Sequence, residues 1–251
     1  MRIVRVTYHG RTLYAELSQE ELRPLEKGSD LPSRLDPQQV RFEPVVSPSK
    51  VVCVGLNYHA HAQELGTEVP QEPLLFLKPP SAVIGSGDKI RLPSQSEEVH
   101  YEGELAVVLG RHCRNAAADS AWEFILGYTC ANDVTARDLQ KKDIQYTRAK
   151  GFDTFCPLGP WIETELGPEQ DLEITVLVNH DLRQQGRTSD MVFSPQYLVS
   201  FVSGVMTLYP GDVILTGTPP GVGALHPGDN ARVLIEDLGE LNNPVESGKG
   251  D

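Results

Sequence analysis

The stretch Tyr101-Glu102-Gly103-Glu104-Leu105-Ala106-Val107-Val108-Leu109-Gly110 (101–110) reads as a strand covered on both sides. Residues two apart on a strand share a face. Glu102 and Glu104 therefore lie on the face that continues as Ala106 and Val108, and Tyr101, Leu105, Val107 and Leu109 lie on the other. Both faces turn apolar within a few residues, which puts the two glutamates at the strand's end and close together. Adjacent, partly buried carboxylates repel, and one takes a proton unless a cation lies between them. A hard divalent ion such as Mg²⁺ or Mn²⁺ answers that need with oxygen ligands alone. The alternative is an exposed strand end with two solvated acids.

Outward from this stretch the chain is rich in short apolar, β-branched runs: KVVCVGL (50–56), PLLFLK (73–78), LEITVLVN (172–179), DVILTG (212–217) and ARVLIE (231–236). Two segments read as helices. One is 136–147, opened by a Thr135-x-x-Asp138 capping signal, and the other is 195–208, behind Pro195 with Leu198, Phe201, Val202, Val205 and Leu208 at helical spacing. With 22 glycines and 19 prolines, about a sixth of the chain breaks regular structure. Strands do not alternate with helices across the whole length, so the expected class is β-rich α+β, with few short helices. Residues 1–48 read as a small N-terminal β appendage, a strand pair turning at Tyr8-His9-Gly10-Arg11, followed by a polar, Pro-studded linker over 18–49. The main domain spans 49–245, and 246–251 reads as a frayed tail.

A net charge of −13 repels phosphate backbones and anionic lipid, and no basic run interrupts it, so neither nucleic acid nor membrane is an expected partner. Cys53, Cys113, Cys130 and Cys156 stand far apart without a Cys-x-x-Cys pair, and read as thiols in a reducing cytoplasm. TGTPPGVG (216–223) lacks both dinucleotide and P-loop spacing, and there is no G-x-S-x-G elbow.

Asp133 falls where a strand gives way to the 136–147 helix, a place where an N-cap or turn aspartate is common. Positions 133, 137 and 140 tend to face one way, so Asp133, Arg137 and Gln140 suit an oxyacid pocket, with an Arg137–Asp133 surface pair as the alternative. His61 and Glu64, three apart, face together on one helical turn. A carboxylate there would fix the imidazole tautomer and raise its basicity. Lys150 is either an exposed turn lysine or a cation near a developing enolate. The Thr216-Gly217-Thr218-Pro219 turn suits an anion or is a plain β-turn. The remaining histidines, His100 among them, read as structural or solvent-facing.

The stretches VGLNYHAHAQE (54–64), PLLFLKP (73–79), YEGELAVVLG (101–110), GYTCANDVTARDLQ (127–140), AKGFDTFCPLGP (149–160), VNHDLRQ (178–184) and LYPGDVILTGTPPGVG (208–223) together resemble the fumarylacetoacetate hydrolase family, in its short single-catalytic-domain branch. The resemblance implies a mixed β-roll in homodimers. It implies Glu102, Glu104 and Asp133 as ligands of Mg²⁺ or Mn²⁺, and His61 and Glu64 as the His-x-x-Glu pair of a lid. It further implies Lys150 as the active-site lysine, and Arg137, Gln140 and Thr218 as contacts to a small 2-oxo acid substrate. Where the family commonly has Asn-Gly at a hairpin, this chain has Asn179-His180, which would place His180 in a left-handed conformation. The implied reaction is cleavage of a carbon–carbon bond in 2-oxo or 2,4-dioxo acids through a metal-bound pyruvate enolate, as an acylpyruvate hydrolase, an oxaloacetate decarboxylase or both. Isomerase or tautomerase work on 2-hydroxy-diene dioates or oxaloacetate is the alternative, and a non-catalytic oxo-acid binding module the third reading.

Overall fold

The computed structural model describes residues 1–19, 21–26, 31–167 and 170–248. In chain order the strands and helices are β1 (Arg2–Tyr8), β2 (Arg11–Ser18), β3 (Glu21–Pro24), β4 (Val40–Phe42), β5 (Val51–Gly55), α1 (His59–Glu64), β6 (Leu74–Lys78), β7 (Val83–Ile84), β8 (Ile90–Leu92), β9 (Val99–Tyr101), β10 (Gly103–Leu109), β11 (Ile125–Asn132), β12 (Thr135–Ala136), α2 (Arg137–Lys142), α3 (Thr147–Lys150), β13 (Cys156–Glu163), β14 (Glu173–Val178), β15 (Asp181–Arg187), α4 (Pro195–Val205), β16 (Val213–Leu215), β17 (Gly223–Ala224), β18 (Asn230–Ile235) and β19 (Gly239–Ser247). The class is β-rich with few short helices, as the sequence indicates.

Among the described residues the strands form three sheets. A large mixed sheet runs β3-β2-β1-β13-β11-β10-β16-β5-β6, with β4 added to β1 and β7 to β13. A second sheet runs β15-β14-β18-β19-β8, and a short third runs β12-β9-β17. Strand β10 is central, antiparallel to β11 on one side and β16 on the other, and every one of its residues is buried. Leu105, Val107 and Leu109 pack into the main core, and Ala106 and Val108 into a second cluster with Val51, Cys53, Cys156 and Leu215. The second sheet lies against the start of β10: a Cβ on Gly103 would sit 2.2 Å from Val176 Cγ2, so no side chain fits between the two glutamates. That close approach explains a glycine in the middle of an otherwise strand-favouring run.

Several sequence expectations change on contact with the structure. The 136–147 helix is two pieces, α2 and α3, and the Thr135-x-x-Asp138 signal caps neither. Thr135 Oγ1 donates to the Asp133 carbonyl, while Asp138 accepts from Ser96 Oγ and Glu97 N. Helix α4 is capped by Ser194, which accepts from Tyr197 N, and stops at Val205; Leu208 instead pairs with Cys113. The polar linker carries β3 and β4, which join the large sheet, and β1 itself pairs with β13 in the register Arg2↔Glu163 and Ile3↔Ile162. Val4, Val6, Leu13, Ala15, Leu22 and Leu35 nonetheless give the N-terminal strands a small core of their own. The tail is not frayed at 246 and 247: Val245, Glu246 and Ser247 pair with Ile90, Arg91 and Leu92, and 249–251 lie outside the described residues. At the β14–β15 turn the left-handed residue is Asn179 (φ 59°), not His180, which follows from asparagine's greater tolerance of that region. No helix among the described residues is long and apolar enough to cross a membrane.

The parallel β5–β16 pair, which carries the site's two flanking loops, is fixed at its start by Asp212. This fully buried carboxylate accepts from Ser49 N (2.9 Å), Ser49 Oγ (2.7 Å), Lys50 N (3.2 Å), Tyr209 N (2.8 Å) and Lys50 Nζ. Burial alone would raise its pKa, but Lys50 and Ser49 together hold it below the ordinary aspartate value. A depressed carboxylate stabilises the fold above its unfolded pKa of about 3.9, and that stabilisation is lost as pH falls through the lower folded value. Asp212→Ala should cost about 3 kcal/mol in urea unfolding at neutral pH, with a smaller loss at pH values below the folded pKa. An unchanged midpoint at neutral pH would show that the β5–β16 junction does not depend on this group.

Candidate active site

Three turns of chain meet at the end of β10. Glu102 sits between β9 and β10. Its backbone oxygen accepts from Asp133 N (2.8 Å) and its backbone N–H donates to Asn132 Oδ1 (3.0 Å), so the β10–β11 ladder brings Asp133 beside it. Glu104 comes two residues further along β10. Glu102, Glu104 and Asp133 are all buried, and one carboxylate oxygen from each lies within 4.8 Å of the others. Of the two readings open from sequence, solvated acids at a strand end are thereby ruled out.

Two lysines and an arginine surround the cluster. Lys150, at the end of α3, reaches Glu102 Oε2 (2.8 Å) and Asp133 Oδ2 (2.6 Å), with its ammonium 4.9 Å from the Phe76 ring centre. Lys78, the last residue of β6, reaches Asp133 Oδ1 (2.5 Å) and the Val134 carbonyl (3.0 Å). Both ammonium groups are buried. Arg137 pairs with Glu102 Oε1 and with Gln140 Oε1, and not with Asp133; the turn between β11 and α2 sends Asp133 toward the lysines. Lys78 was given no role from sequence, although a lysine closing the run Leu-Leu-Phe-Leu before two prolines is a cation carried inward by an apolar strand. Asn57 was also missed. It is wholly buried, donates to the Phe193 and Thr216 carbonyls and accepts from Phe193 N, which ties the entry of α1 to the turn after β16.

The acids differ sharply in their electrostatics. Burial opposes charge on Glu102, but Lys150 and Arg137 outweigh it and hold the carboxyl well below its usual range. Glu104 goes the other way. Burial, then repulsion from Asp133 and Glu102, raises it well above the usual value. Among the described residues its one protein donor is Gly217 N at 2.7 Å, and no ion pair reaches it. Burial would lower Lys150, yet Asp133 and Glu102 raise it. An all-oxygen set of three buried carboxylates, one lacking a cation partner, is the donor chemistry a hard divalent ion requires, so the residues fit Mg²⁺ or Mn²⁺.

Across the cavity, α1 presents His61, which is buried. His61 Nδ1 lies 2.9 Å from Glu64 Oε2, and Glu64 Oε1 accepts from Gly221 N at 2.9 Å. In the neutral ring, a carboxylate at Nδ1 selects the Nδ1–H tautomer and puts the lone pair on Nε2. Gly221 is held in turn by Tyr101, whose hydroxyl donates to its carbonyl (3.0 Å). Thr218 lines the cavity, but its hydroxyl donates to the Gly103 carbonyl (2.8 Å) and accepts from Gln184 (2.8 Å). Gly217 N donates to Glu104, Gly221 N to Glu64, and Pro219 and Pro220 have no N–H, so the donor this turn leaves for a carboxylate is the backbone N–H of Thr218. One cavity of about 310 Å³ is lined by His61, Glu102, Glu104, Asp133, Arg137, Gln140, Lys150 and Thr218, with Leu56, Leu65, Leu74, Phe76 and Tyr146 as apolar walls. Glu64 stands behind His61, outside that lining.

Residues 50–246 match the profile of the fumarylacetoacetate hydrolase C-terminal region, and the chain belongs to the fumarylacetoacetate hydrolase family of enzymes. It is 44% identical over 213 residues to the mitochondrial oxaloacetate tautomerase fahd2 of Xenopus laevis, covering 80% of this chain and 67% of that one. The fold superposes with a TM-score of 0.90 on the 2-hydroxyhepta-2,4-diene-1,7-dioate isomerase of Mycobacterium marinum, at 42% identity and with all of both chains covered. It superposes at 0.82 on the maleylpyruvate hydrolase of Sphingobium sp. SYK-6 in complex with manganese (II) ion and pyruvate, at 31% identity, covering 99% of this chain and all of the other.

Glu104→Gln separates stability from metal binding. A charged Glu104 destabilises the metal-free fold at neutral pH, because a raised carboxyl pKa means the charged form is disfavoured relative to the unfolded chain. The variant should melt higher than the wild type without metal. Mn²⁺ at about a hundredfold over its Kd should raise the wild-type Tm by about 5–10 °C and leave the variant unmoved. A Mn²⁺ shift of equal size in both proteins would take Glu104 out of the metal site.

Proposed function

We propose that the protein interconverts the enol and keto forms of a small 2-oxo dicarboxylate such as oxaloacetate, by proton transfer at the carbon beside the 2-oxo group. The observation that carries this reading is a buried imidazole with a free Nε2 in the same cavity as three convergent carboxylates. Identity of 44% to an oxaloacetate tautomerase and of 42% to a 2-hydroxyhepta-2,4-diene-1,7-dioate isomerase supports it.

In this reading Glu102, Glu104 and Asp133 hold the divalent ion, which when bound supplies Lewis acidity toward the 2-oxo oxygen and favours negative charge there. His61 Nε2 takes the proton from C3 as the C–H electron pair forms the C2–C3 double bond and the C2=O π pair moves onto the oxygen. The imidazolium then gives its Nε2 proton to that oxygen to complete the enol, and the same transfers in reverse restore the keto form. Glu64 holds the tautomer and balances the imidazolium that forms. Lys150, 2.8 Å from Glu102 and 2.6 Å from Asp133, stands where its positive charge also favours the enolate oxygen. Gln140, Arg137 and the Thr218 turn receive the substrate's carboxylates. The leucines and aromatic rings of the cavity wall keep competing water away from C3.

The sequence alone puts carbon–carbon bond cleavage first. Relatives at 42–46% identity whose names state a reaction are tautomerases and isomerases, which moves proton transfer ahead. Cleavage stays as the second reading on the 31% identity to a maleylpyruvate hydrolase, since departure of pyruvate as its enolate uses the same charged oxygen. The homodimer and the cytoplasmic setting belong to the proposal, and light scattering decides the first.

Oxaloacetate and acetylpyruvate, each incubated with Mg²⁺ or Mn²⁺, separate the readings. Fast enol–keto exchange of oxaloacetate with no pyruvate from either compound is the expected result. Pyruvate from either compound, with exchange no faster than in buffer, would make the protein a cleaving enzyme. His61→Ala should lower kcat for exchange by about 10²–10⁴ with KM changed little. A loss confined to KM would make His61 a closing or binding group and not the base.

A further inference from the structure

His100 is a residue for which the sequence suggested only a structural or solvent-facing role. It is the middle residue of β9 and pairs with Thr135 of β12 and with Ala224 of β17, so it sits at the centre of the small sheet on which Asp133 and Arg137 are mounted. By the strand's alternation it continues the face of Glu102 and Glu104, while Val99 and Tyr101 turn into the core. Its ring is largely covered, with 14% of the side chain exposed. Nε2 lies 3.0 Å from Glu98 Oε1, and Nδ1 accepts from Arg137 Nε at 3.4 Å. The two contacts agree on a single tautomer, with the proton on Nε2 facing the carboxylate and the lone pair on Nδ1 facing the guanidinium. Glu98 adds two more ties to α2: its backbone oxygen accepts from Arg137 N at 2.7 Å, and its carboxylate pairs with Lys141 at 3.2 Å.

Every nitrogen of the Arg137 guanidinium thus has its own acceptor: His100 Nδ1 for Nε, Gln140 Oε1 for one terminal nitrogen and Glu102 Oε1 for the other. A planar fork anchored at three corners has no freedom to rotate. Its hold on Gln140 has a chemical consequence. Because Gln140 Oε1 accepts from Arg137, the amide end of Gln140 that remains is the NH₂ group, a donor.

We propose that His100, supported by Glu98, is a positioning residue for substrate specificity: through Arg137 it fixes the Gln140 amide with its NH₂ toward the cavity, so the site accepts an oxygen acceptor such as a carboxylate at that position and disfavours a donor. This rests on the reading that Arg137 and Gln140 face the substrate. Without the Nδ1 acceptor the guanidinium swings about Nε, Gln140 is released, and the substrate meets two mobile groups where it met a rigid pair. Loss of such preorganisation weakens binding more than it slows chemistry.

The test uses the full chain with Mn²⁺, comparing wild type with His100→Asn, which keeps an acceptor near the Nδ1 position, and His100→Leu, which has none. The readouts are the Kd of oxalate by calorimetry, kcat and KM for oxaloacetate exchange, and the Kd of Mn²⁺ alone. His100→Leu should weaken oxalate and raise KM by about tenfold with kcat within about threefold, while His100→Asn stays within about threefold of wild type throughout. Mn²⁺ affinity should hold in both, since Glu102 keeps Lys150 and Thr135 as partners. Wild-type values in a folded His100→Leu overturn the proposal. A His100→Asn as impaired as His100→Leu does so too, by showing that ring packing matters and the acceptor does not. A fall in Mn²⁺ affinity matching the fall in oxalate affinity would relocate the effect to the metal site. Oxalate binding without oxaloacetate turnover in the wild type defeats the tautomerase reading alone, and the oxalate series still decides the role of His100. If the wild type does not bind oxalate, both fall.

Discussion

Three carboxylates and three cations share one buried volume: Glu102, Glu104 and Asp133 against Lys78, Lys150 and Arg137, all less than a tenth exposed. So many charges are tolerable away from water only when each is paired, and the pairing is uneven. Glu102 and Asp133 take all three cations between them, and Glu104 is left with a single backbone donor. That imbalance is what gives the site its appetite for an added positive charge. It also explains why the chain surrounds the end of β10 with elements from so many parts of the sequence.

The sheets exist, from this viewpoint, to keep that volume closed. Strand β10 is walled by β11 and β16 along its edges and by the second sheet across its face, so the glutamates cannot relax outward into solvent. The turn after β16 is tied back by Thr216 and Thr218 to the carbonyls of Leu105 and Gly103, and across to α1 by Asn57. Helix α1, one and a half turns long, could not stand alone. It is held by those ties and by apolar packing of Tyr58 and Ala62.

What the sequence made legible was periodic or dense. The alternation in 101–110 gave a two-faced strand and put the two glutamates side by side, and the apolar runs gave β5, β6, β14, β16 and β18 within a residue or two at most ends. Convergence of Asp133 with the glutamates was visible only through the family resemblance, because a single aspartate after a strand has many ordinary uses. Spacing along an assumed helix turned Asp133, Arg137 and Gln140 one way, and all three line the cavity. The Arg137–Asp133 pair that was the alternative does not form, since Asp133 lies before the helix and Arg137 reaches Glu102 and Gln140 instead. Lys78, Asn57 and His100 were passed over for a common reason. Each acts through partners tens of residues away, and no local pattern records a contact between β6 and the β11–α2 turn, or between β9 and α2. The pairing of Glu246 and Ser247 with β8 was missed in the same way, as it is a long-range event.

The Glu64 carboxylate touches His61 with one oxygen and Gly221 with the other. Only the second contact leaves the helix. Lifting α1 to admit a substrate would break a single hydrogen bond at that carboxylate, and the imidazole would travel with its partner still attached. The His61–Glu64 pair is thus a self-contained cassette, its internal contact made before any guest arrives, and re-seating it would restore the arrangement without any rearrangement inside the pair.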